Sequence, residues 1–484
     1  MLTQSDFINI EKQATAIYES LELQIIEEIA TRVANVGYVN TVVLNDIQIA
    51  QEMGVLYIDI ISLVAKYNHS TYEEVAKIFE EAGTKTLKFD DKIYTEAGLN
   101  PLPINQSPGM VQMLNATIEK TSGNLQNLVM TTAISSQTQF YNAMNMAYME
   151  VSTGVKSYSK SILDAIDNIS SQGAIITYPS GRKTSLESAV RTNVITGVNQ
   201  TCGKLQELRA NEMGWDLMEL TAHGGARPEH AQWQGKIVSR SGTKGYLSLR
   251  DIGYGTATGF KGVNCRHDWY PYLKGSAKSY TQEQLNAWRN EKVTYNGQKI
   301  SKYDATQMQR KMERQIRQDK KELSGLQGIL KSNIVDNKLI EDTKTQFSKQ
   351  ALIYKTHQNE LDDFIQQTSF KKDNTRLYVG KQDRNISTQV ASVTKMANKY
   401  NNSDIIGMKV NSIEITEIGE HIISRTYARN ISFEDIQDTL KNPIKYGKIR
   451  TNNTQQIKGK NCTIIINTET GKLVTVYPKK TKKE

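Results

Sequence analysis

Glycine-rich segments between residues 173 and 272 interrupt a chain whose other regions are dominated by helical periodicity and polar loops. Three of these segments carry most of the unusual residues: Tyr178–Arg182, Gly225–Gly235 and Gly259–Tyr272. Glycine-rich connections do not support long helices, and residues 173–178 and 215–220 have the composition of short strands. We therefore predict a mainly α N-terminal and central region that contains a small α+β insertion.

The clearest helical pattern follows the first of these segments. Thr184 with Glu187 has the form of a capping box, which predicts that a helix begins there. Apolar residues then recur every three or four positions, as expected for one buried helix face. They are Leu186, Val190, Val194, Val198, Cys202, Leu205 and Leu208. Cys202 is therefore predicted to be a core residue rather than a reactive thiol.

Residues 371–484 have a different pattern. Residues 421–429 and 433–440 are predicted helices, with Ser432 as the cap of the second and Pro443 beyond its end. Residues 446–449, 462–466 and 473–477 alternate as strands do, and the loop Asn467–Gly471 suits a hairpin between the last two. This pattern predicts a separate α+β C-terminal domain, with helices packed on a small antiparallel sheet.

The 484 residues are accordingly divided into four regions. Residues 1–150 are a helical N-terminal region, and residues 151–275 hold the loops rich in Gly, His and Cys. Residues 276–370 are a charged helical spacer, because a polar helix of mixed charge rarely fills a core. Residues 371–484 are the basic α+β domain.

The positive charge of the chain is uneven. The net charge is +9, yet residues 371–484 hold 21 basic and 11 acidic residues, whereas residues 1–370 hold 39 and 40. This imbalance predicts that the C-terminal domain meets a polyanion, either RNA or packaged DNA. The alternative is a solvated lysine tail at residues 479–483.

Composition also indicates where the protein folds. Mean hydropathy is −0.52, and no apolar run is long enough to span a bilayer. The N-terminus has no signal-peptide pattern, and three widely spaced cysteines do not suggest a disulfide framework. We expect a soluble protein that folds in a reducing cytoplasm without membrane contact.

Four side chains in the central block are candidate metal ligands: His223, His230, Cys265 and His267. Imidazole and thiolate are good zinc donors, so a structural zinc ion is one interpretation, and no other cofactor is expected. The spacing is unlike common zinc motifs. The alternative is that these residues lock two loops together by hydrogen bonds, while Trp233 and Trp269 pack. A nucleophilic Cys265 is a third interpretation, but the sequence offers no orienting group for it.

These central motifs, together with the helix 191–200, resemble phage minor capsid proteins. These are minor head proteins of tailed phages and prophages, distantly similar to Mu F-like head morphogenesis proteins. The resemblance covers residues 1 to about 370. It implies a structural role in head assembly near the portal vertex, with portal and major capsid proteins as partners. It also implies location in the virion, after assembly in the host cytoplasm, and no catalysis in this region.

The C-terminal segment carries the run 421–432, the residues 436–443 and a strand pair that ends at 475–477. On these residues it is similar to a domain often fused to such proteins, the phage-type nuclease relatives of barnase, EndoU, colicins E5 and D, and RelE. His421, Arg425 and Arg429 recur every four residues and so share a helix face. Histidine suits proton transfer and arginine suits phosphate, which is the chemistry of RNA cleavage without metal. Thr475 is a candidate hydrogen-bond donor, and Lys458 and Lys460 are candidate phosphate contacts.

Two functions therefore remain open for this domain. One is a metal-independent endoribonuclease, including a toxin-type effector that the head-protein region packages and delivers. The other is a catalytically inactive domain that binds nucleic acid. A His-Arg-Arg helix face is also compatible with a solvated amphipathic surface.

Overall fold

A computed structural model describes residues 1–16, 21–36, 42–173, 175–178, 181–333, 336–377 and 382–479. In these residues the chain forms twelve α-helices. They are α1 Gln4–Ala16, α2 Leu21–Val36, α3 Val42–Glu96, α4 Pro108–Ser152, α5 Tyr158–Gln172, α6 Leu186–Glu212, α7 Gln282–Asn290, α8 Lys302–Lys331, α9 Asn337–Thr368, α10 Gln382–Asn401, α11 Glu420–Ala428 and α12 Phe433–Lys441.

The strands of the described residues are short and form small sheets. They are β1 Ile175–Thr177, β2 Lys183–Ser185, β3 Leu217–Leu220, β4 Ile237–Ser239, β5 Leu247–Ser248, β6 Trp269–Pro271, β7 Lys292–Tyr295, β8 Gln298–Ser301, β9 Lys409–Val410, β10 Ile413–Glu414, β11 Glu417–Ile418, β12 Lys445–Tyr446, β13 Thr454–Lys458, β14 Cys462–Asn467 and β15 Lys472–Pro478. The predicted fold class, a helical body with small sheets and an α+β C-terminal part, is confirmed.

Helix α6 follows the apolar pattern of its sequence. Its stripe from Leu186 to Leu205 is buried against α3 and α4, and Cys202 lies within that core as predicted. The predicted cap is wrong by one residue. Thr184 belongs to β2, and the hydroxyl of Ser185 accepts the backbone N–H of Ser188. Glu187 is then the second residue of the helix and not the third, which is the position that a capping box uses.

Helix α8 contributes to the core, although its charged sequence predicted a spacer that does not fill one. Leu323, Leu326 and Ile329 of α8 are buried in the main core, and α8 packs closely on α2. Gly328 permits this approach, because a Cβ there would lie 2.6 Å from the carbonyl oxygen of Glu27. The polar face of α8 lines a cleft. Charge along a helix therefore did not predict exposure.

The central glycine-rich segment builds its own small core. Strands β5, β4, β3 and β6 form a four-stranded sheet in that order, and β3 pairs antiparallel with both β4 and β6. Trp233, Phe260 and Trp269 pack beside it, with ring centroids 5.2–5.6 Å apart for the Phe260 pairs. Pro179 and Ser180 of the predicted turn after β1 lie outside the described residues.

The C-terminal domain has a five-stranded sheet in the order β11-β15-β14-β13-β12, with α11 and α12 packed on it. The predicted hairpin between β14 and β15 is present, and Ser432 caps α12 as predicted. Strand β13 was missed, because Thr454–Lys458 has little apolar alternation. Part of the predicted lysine tail, residues 480–483, lies outside the described residues.

Helix α10 joins the two parts of the molecule. Its first half contributes Ile386, Val390 and Val393 to the core of the helical body, while Ala397 and Tyr400 belong to the C-terminal core. The domain boundaries drawn from the sequence stay predictions. None of the helices in the described residues is long and apolar enough to cross a membrane.

Candidate functional site: an arginine-lined cleft

A cleft of about 800 Å³ lies between the central loops and the charged face of α8. Residues from each of the motif segments line it. One wall holds Arg182, the start of α6, the loop 223–227 and the loop 264–267. The opposite wall is the polar face of α8, from Tyr303 to Lys321, with Arg376 beside it. Segments far apart in sequence therefore form one site.

The lining of this cleft is strongly basic. It holds nine arginine and lysine side chains against two glutamates. They are Arg182, Arg191, Arg227, Arg266, Arg310, Arg314, Arg317, Lys321 and Arg376, with Glu187 and Glu313. The near-neutral balance of residues 1–370 conceals this concentration, because charge counted along the chain ignores where side chains meet. The cleft suits an anionic partner.

Three buried carboxylates pair with five of these arginines, and one of the three, Glu313, pairs with Arg310 at 2.5 Å. Glu11, only 4% exposed, accepts from Arg191, Arg266 and Arg376. Glu187 accepts from Arg191 and, at 2.7 Å, from Arg317. Burial alone would raise the pKa of Glu187, but the guanidinium groups of Arg317 and Arg191 outweigh burial and lower it. The carboxylate thus stays ionised and links α6 to α8 through Arg317.

Three other arginines have no such partner. Among the residues that the structure describes, Arg182, Arg227 and Arg314 form no ion pair with a carboxylate. Arg227 donates to the backbone oxygen of Val263 at 2.7 Å, whereas Arg182 and Arg314 are exposed. Their charges are available to a ligand in the cleft.

Three of the four predicted metal ligands, His223, His230 and His267, line this cleft, and Cys265 is buried behind them. The structure brings His230, Cys265 and His267 together. The Nδ1 atoms of His230 and His267 are 3.3 Å apart, and Sγ of Cys265 is 3.9 Å from Nδ1 of His267. All three ligand atoms lie within 4.8 Å of one another, and all three residues are buried. His230 and His267 face the cleft.

His223, the fourth predicted ligand, is placed differently. Its ring stacks on that of His267, with centroids 4.5 Å apart. Its Nδ1 hydrogen-bonds the carbonyl oxygen of Gly224 at 3.0 Å, and its buried Nε2 has no hydrogen-bond partner. His223 therefore lines the cleft beside the three converging residues without joining them.

Burial controls the charge of these groups. It lowers the pKa of His223 and His230, and it lowers the pKa of His267 well below the ordinary value. The same burial raises the pKa of the Cys265 thiol. At neutral pH the cluster is therefore uncharged in the absence of a bound cation.

A buried ion pair secures the loop that carries Cys265 and His267. Nζ of Lys261 lies 2.6 Å from Oδ1 of Asp268 and 2.8 Å from Oδ1 of Asn199 on α6. Asp268 also accepts the backbone N–H groups of Leu2 and Trp269. Directly after Lys261 the backbone passes so close to residues 256–259 that only glycine fits, since a Cβ on Gly262 would lie 2.1 Å from the carbonyl oxygen of Thr256.

The candidate nuclease residues occupy the C-terminal domain. His421 is exposed at the start of α11, and its pKa is lowered by partial burial and by Arg425, Lys349 and Arg429. Thr475 is buried on β15, 8% exposed. Lys458, at the end of β13, and Lys460 beyond it are exposed.

The two arginines of this set bind the helical body. Arg425 donates to Oε1 of Glu341 on α9 at 2.5 Å. Arg429 donates to the same oxygen at 2.9 Å and also to the carbonyl oxygen of Val476, and its guanidinium lies 4.1 Å from the centre of the Tyr477 ring. In this conformation both guanidinium groups are occupied by the protein itself.

Sequence reasoning missed much of the cleft. Arg310, Arg314 and Arg317 recur at positions that share one helical face, and that spacing was a usable signal. No local signal marked Glu11 or Arg376, which reach the cleft from distant segments. Nor did the sequence indicate that Lys261 and Asp268 form a pair.

Comparisons with known proteins agree with the motifs. The family described as Phage minor capsid protein 2 matches residues 2–366. A structural protein of Lactococcus phage LL-H is 28% identical over 299 residues, which cover 58% of this chain and 77% of that protein. A structural protein of Lactococcus phage mv4 is 33% identical over 89 residues, covering 18% of this chain and 64% of that protein. No solved structure matches the chain.

Proposed function

We propose that this chain, which belongs to the phage minor capsid protein 2 family, acts near the portal vertex during assembly of the phage head. It is a phage structural protein. The proposal adds a location, a role in assembly and two partners, the portal protein and the major capsid protein. Its presence in the host cytoplasm during assembly is part of the same proposal.

The observation that carries this proposal is the unpaired positive charge of the cleft. Arg182 and Arg314 are exposed on opposite walls, and the buried glutamates behind them hold the other arginines in fixed positions. A preorganised set of guanidinium groups binds carboxylates with little loss of conformational entropy. We assign the cleft to an acidic segment of the portal or major capsid protein.

A peptide suits the cleft better than a single-stranded nucleic acid does. Nonspecific binding of single strands uses aromatic platforms on which bases stack. Among the residues that line the cleft, Tyr303 is the one aromatic side chain besides the histidines, so the cleft has no row of rings on which bases could stack. Carboxylates need no such platform, because arginine binds them in its own plane.

Reversing both exposed charges should prevent docking. The double variant Arg182→Glu/Arg314→Glu should bind the portal or capsid protein at least about tenfold more weakly, since each reversal replaces attraction by repulsion across the cleft. Binding would be measured by copurification and by titration of the purified partners. Arg250→Glu is the matched control, because Arg250 is an exposed arginine outside the cleft.

The result also distinguishes the two kinds of partner. Undiminished binding of the double variant to the protein partners would contradict the cleft assignment. Binding to duplex DNA with no binding to either head protein would contradict the docking role itself. If the double variant loses partner binding and Arg250→Glu keeps it, the result supports both the cleft assignment and the docking role.

For the C-terminal domain we propose a ribonuclease function that is restrained by the helical body. The supporting observation is His421, which is exposed and has a lowered pKa, so that its neutral form predominates at pH 7 and suits a general base. Its neighbours Arg425 and Arg429 are engaged by Glu341. Cleavage would therefore require these arginines to be released. The competing function is nucleic-acid binding without cleavage.

RNA cleavage by the full chain separates these functions. The wild type should cleave slowly, Glu341→Gln should cleave about tenfold faster, and adding His421→Ala to it should abolish cleavage, because a general base contributes about 10²–10⁴-fold. The readout is the rate of product formation from labelled RNA. Intact RNA with all three proteins would contradict the ribonuclease function, while retention of RNA on the protein would favour binding.

A further inference from the structure

We propose that His230, Cys265 and His267 form a binding site for a divalent transition-metal ion, with Zn²⁺ as the best fit. The ligand atoms are Nδ1 of each histidine and Sγ of the cysteine. The site joins the two glycine-rich segments that the sequence singled out, at the wall of the arginine-lined cleft. It stands independently of the docking role and of the ribonuclease function.

The hydrogen bonds of the histidines determine which nitrogen carries the proton. Nε2 of His230 lies 2.8 Å from the carbonyl oxygen of Thr258, which can only accept, so Nε2 must donate. Nδ1 of His230 is then an unprotonated lone pair.

The hydrogen bonds around Gln234 determine the tautomer of His267. Oε1 of Gln234 accepts the backbone N–H of His223 at 3.1 Å, which identifies that atom as the oxygen. Nε2 of His267 lies 3.1 Å from this oxygen and therefore donates to it. Nδ1 of His267 is consequently a lone pair as well.

Two lone pairs thus face each other at 3.3 Å with no proton between them. That arrangement is unfavourable in a buried place. Among the described residues, Nδ1 of His230 gains no donor, and Nδ1 of His267 gains only the weak S–H donor of Cys265, whose sulfur is 3.9 Å away. A cation between them removes the conflict. Donation of the distal N–H to a carbonyl group is also the usual support of a metal-binding histidine.

The distances suit zinc. With Zn–N near 2.0–2.1 Å and Zn–S near 2.3 Å, a tetrahedral ion separates two nitrogens by about 3.3 Å and a nitrogen from a sulfur by about 3.6 Å. The two histidine nitrogens are 3.3 Å apart, the sulfur is 3.9 Å from Nδ1 of His267, and all three ligand atoms lie within 4.8 Å of one another. The nitrogens therefore already have the zinc spacing, and the sulfur would move inward by a few tenths of an ångström or more. Two imidazoles and a thiolate bind Zn²⁺ better than they bind Mg²⁺ or Ca²⁺.

The fourth coordination position belongs to a water molecule or an anion from the cleft. Both histidines line the cleft, and His223 stacks on His267 instead of presenting a ligand atom to the cluster. An ion bound here would hold the loop of residues 223–235 to the loop of residues 260–268. It would also add positive charge beside Arg227.

Metal content of the purified full chain tests the site. We expect about one equivalent of zinc in the wild type and below about 0.2 in Cys265→Ser or His267→Gln, because three ligands bind far better than two. Cys202→Ser is the matched control, since Cys202 is another buried free thiol and should leave the zinc in place. His223→Gln should also retain zinc, and its loss there would contradict the three-ligand assignment.

A second measurement does not depend on how the variants fold. Wild-type protein stripped with a chelator should regain thermal stability on addition of Zn²⁺, and Co²⁺ should give the visible absorption of a tetrahedral thiolate site. Less than about 0.2 equivalents in the wild type, with neither a stability gain nor a cobalt spectrum, would overturn the proposal.

Discussion

Replacing Lys261 with methionine should lower the free energy of unfolding by about 3–5 kcal/mol, because it leaves Asp268 buried without its counter-ion. Lys261 is 1% exposed and Asp268 is fully buried, so water cannot compensate for the lost charge. Methionine retains the packing of the lysine stem. Urea denaturation followed by tryptophan fluorescence measures the loss directly, since Trp269 adjoins the pair and lies in the core of the small sheet.

Two further variants show that charge is the cause. Adding Asp268→Asn to Lys261→Met should recover part of the loss, because both buried charges are then absent. Lys244→Met, at an exposed position, should change little. If the urea concentration at the midpoint of unfolding is the same for Lys261→Met and the wild type, the ion pair of Lys261 and Asp268 does not stabilise the loop.

The same pair predicts a dependence on pH. Burial would raise the pKa of Asp268, but Lys261, the N-terminal ammonium group and the N–H of Leu2 together outweigh burial, and the folded-state pKa is lowered. The pair's stabilisation is therefore present above the unfolded pKa of about 3.9 and is lost as pH falls through the lower folded value. The gap in stability between the wild type and Lys261→Met should narrow as the solution is acidified below pH 4.

Replacing Glu341 with glutamine should loosen the attachment of the C-terminal domain. Glu341 accepts from both Arg425 and Arg429, so its neutralisation leaves two half-buried guanidinium groups without their main partner. Hydrogen bonds to charged groups contribute about 1.5–3 kcal/mol, and a loss near 2 kcal/mol corresponds to roughly thirtyfold. Backbone amides of α11 should exchange hydrogen faster by about that factor.

Glu360→Gln provides the comparison, because Glu360 is an exposed carboxylate on the same helix. It should leave exchange in α11 unchanged. Equal exchange rates in Glu341→Gln and the wild type would show that apolar contacts, such as Phe347 with Tyr427, hold the domain without the ion pairs. Faster exchange in Glu341→Gln but not in Glu360→Gln would establish that the ion pairs of Glu341 contribute to the attachment.

Much of the local structure was predictable because it depends on short-range patterns. The apolar stripe of α6, the Ser432 cap and the hairpin between β14 and β15 each follow from residues within a few positions of one another. Two local predictions failed because neighbouring residues offered a competing or a weak signal. Ser185 rather than Thr184 caps α6, and β13 was too polar to be recognised.

The candidate site was only partly predictable. Rare residues on glycine-rich loops indicated that a site lies between residues 173 and 272. The spacing of Arg310, Arg314 and Arg317 could have indicated one charged helix face, although it was not used. Neither pattern reveals that the two surfaces face each other. That relation depends on the packing of α8 against α2, which apolar residues and Gly328 determine far from the cleft.

By itself the sequence determined the helical body, the α+β C-terminal part and the family, since periodicity and motifs are properties of neighbouring residues. Only the tertiary structure decided which histidine nitrogens are free, which arginines lack a partner and which carboxylate holds Arg425 and Arg429. Hydrogen bonds and ion pairs act over about 3–4 Å in space, and in this chain they join residues up to hundreds of positions apart. The contact of Arg266 with Glu11 is one such pair.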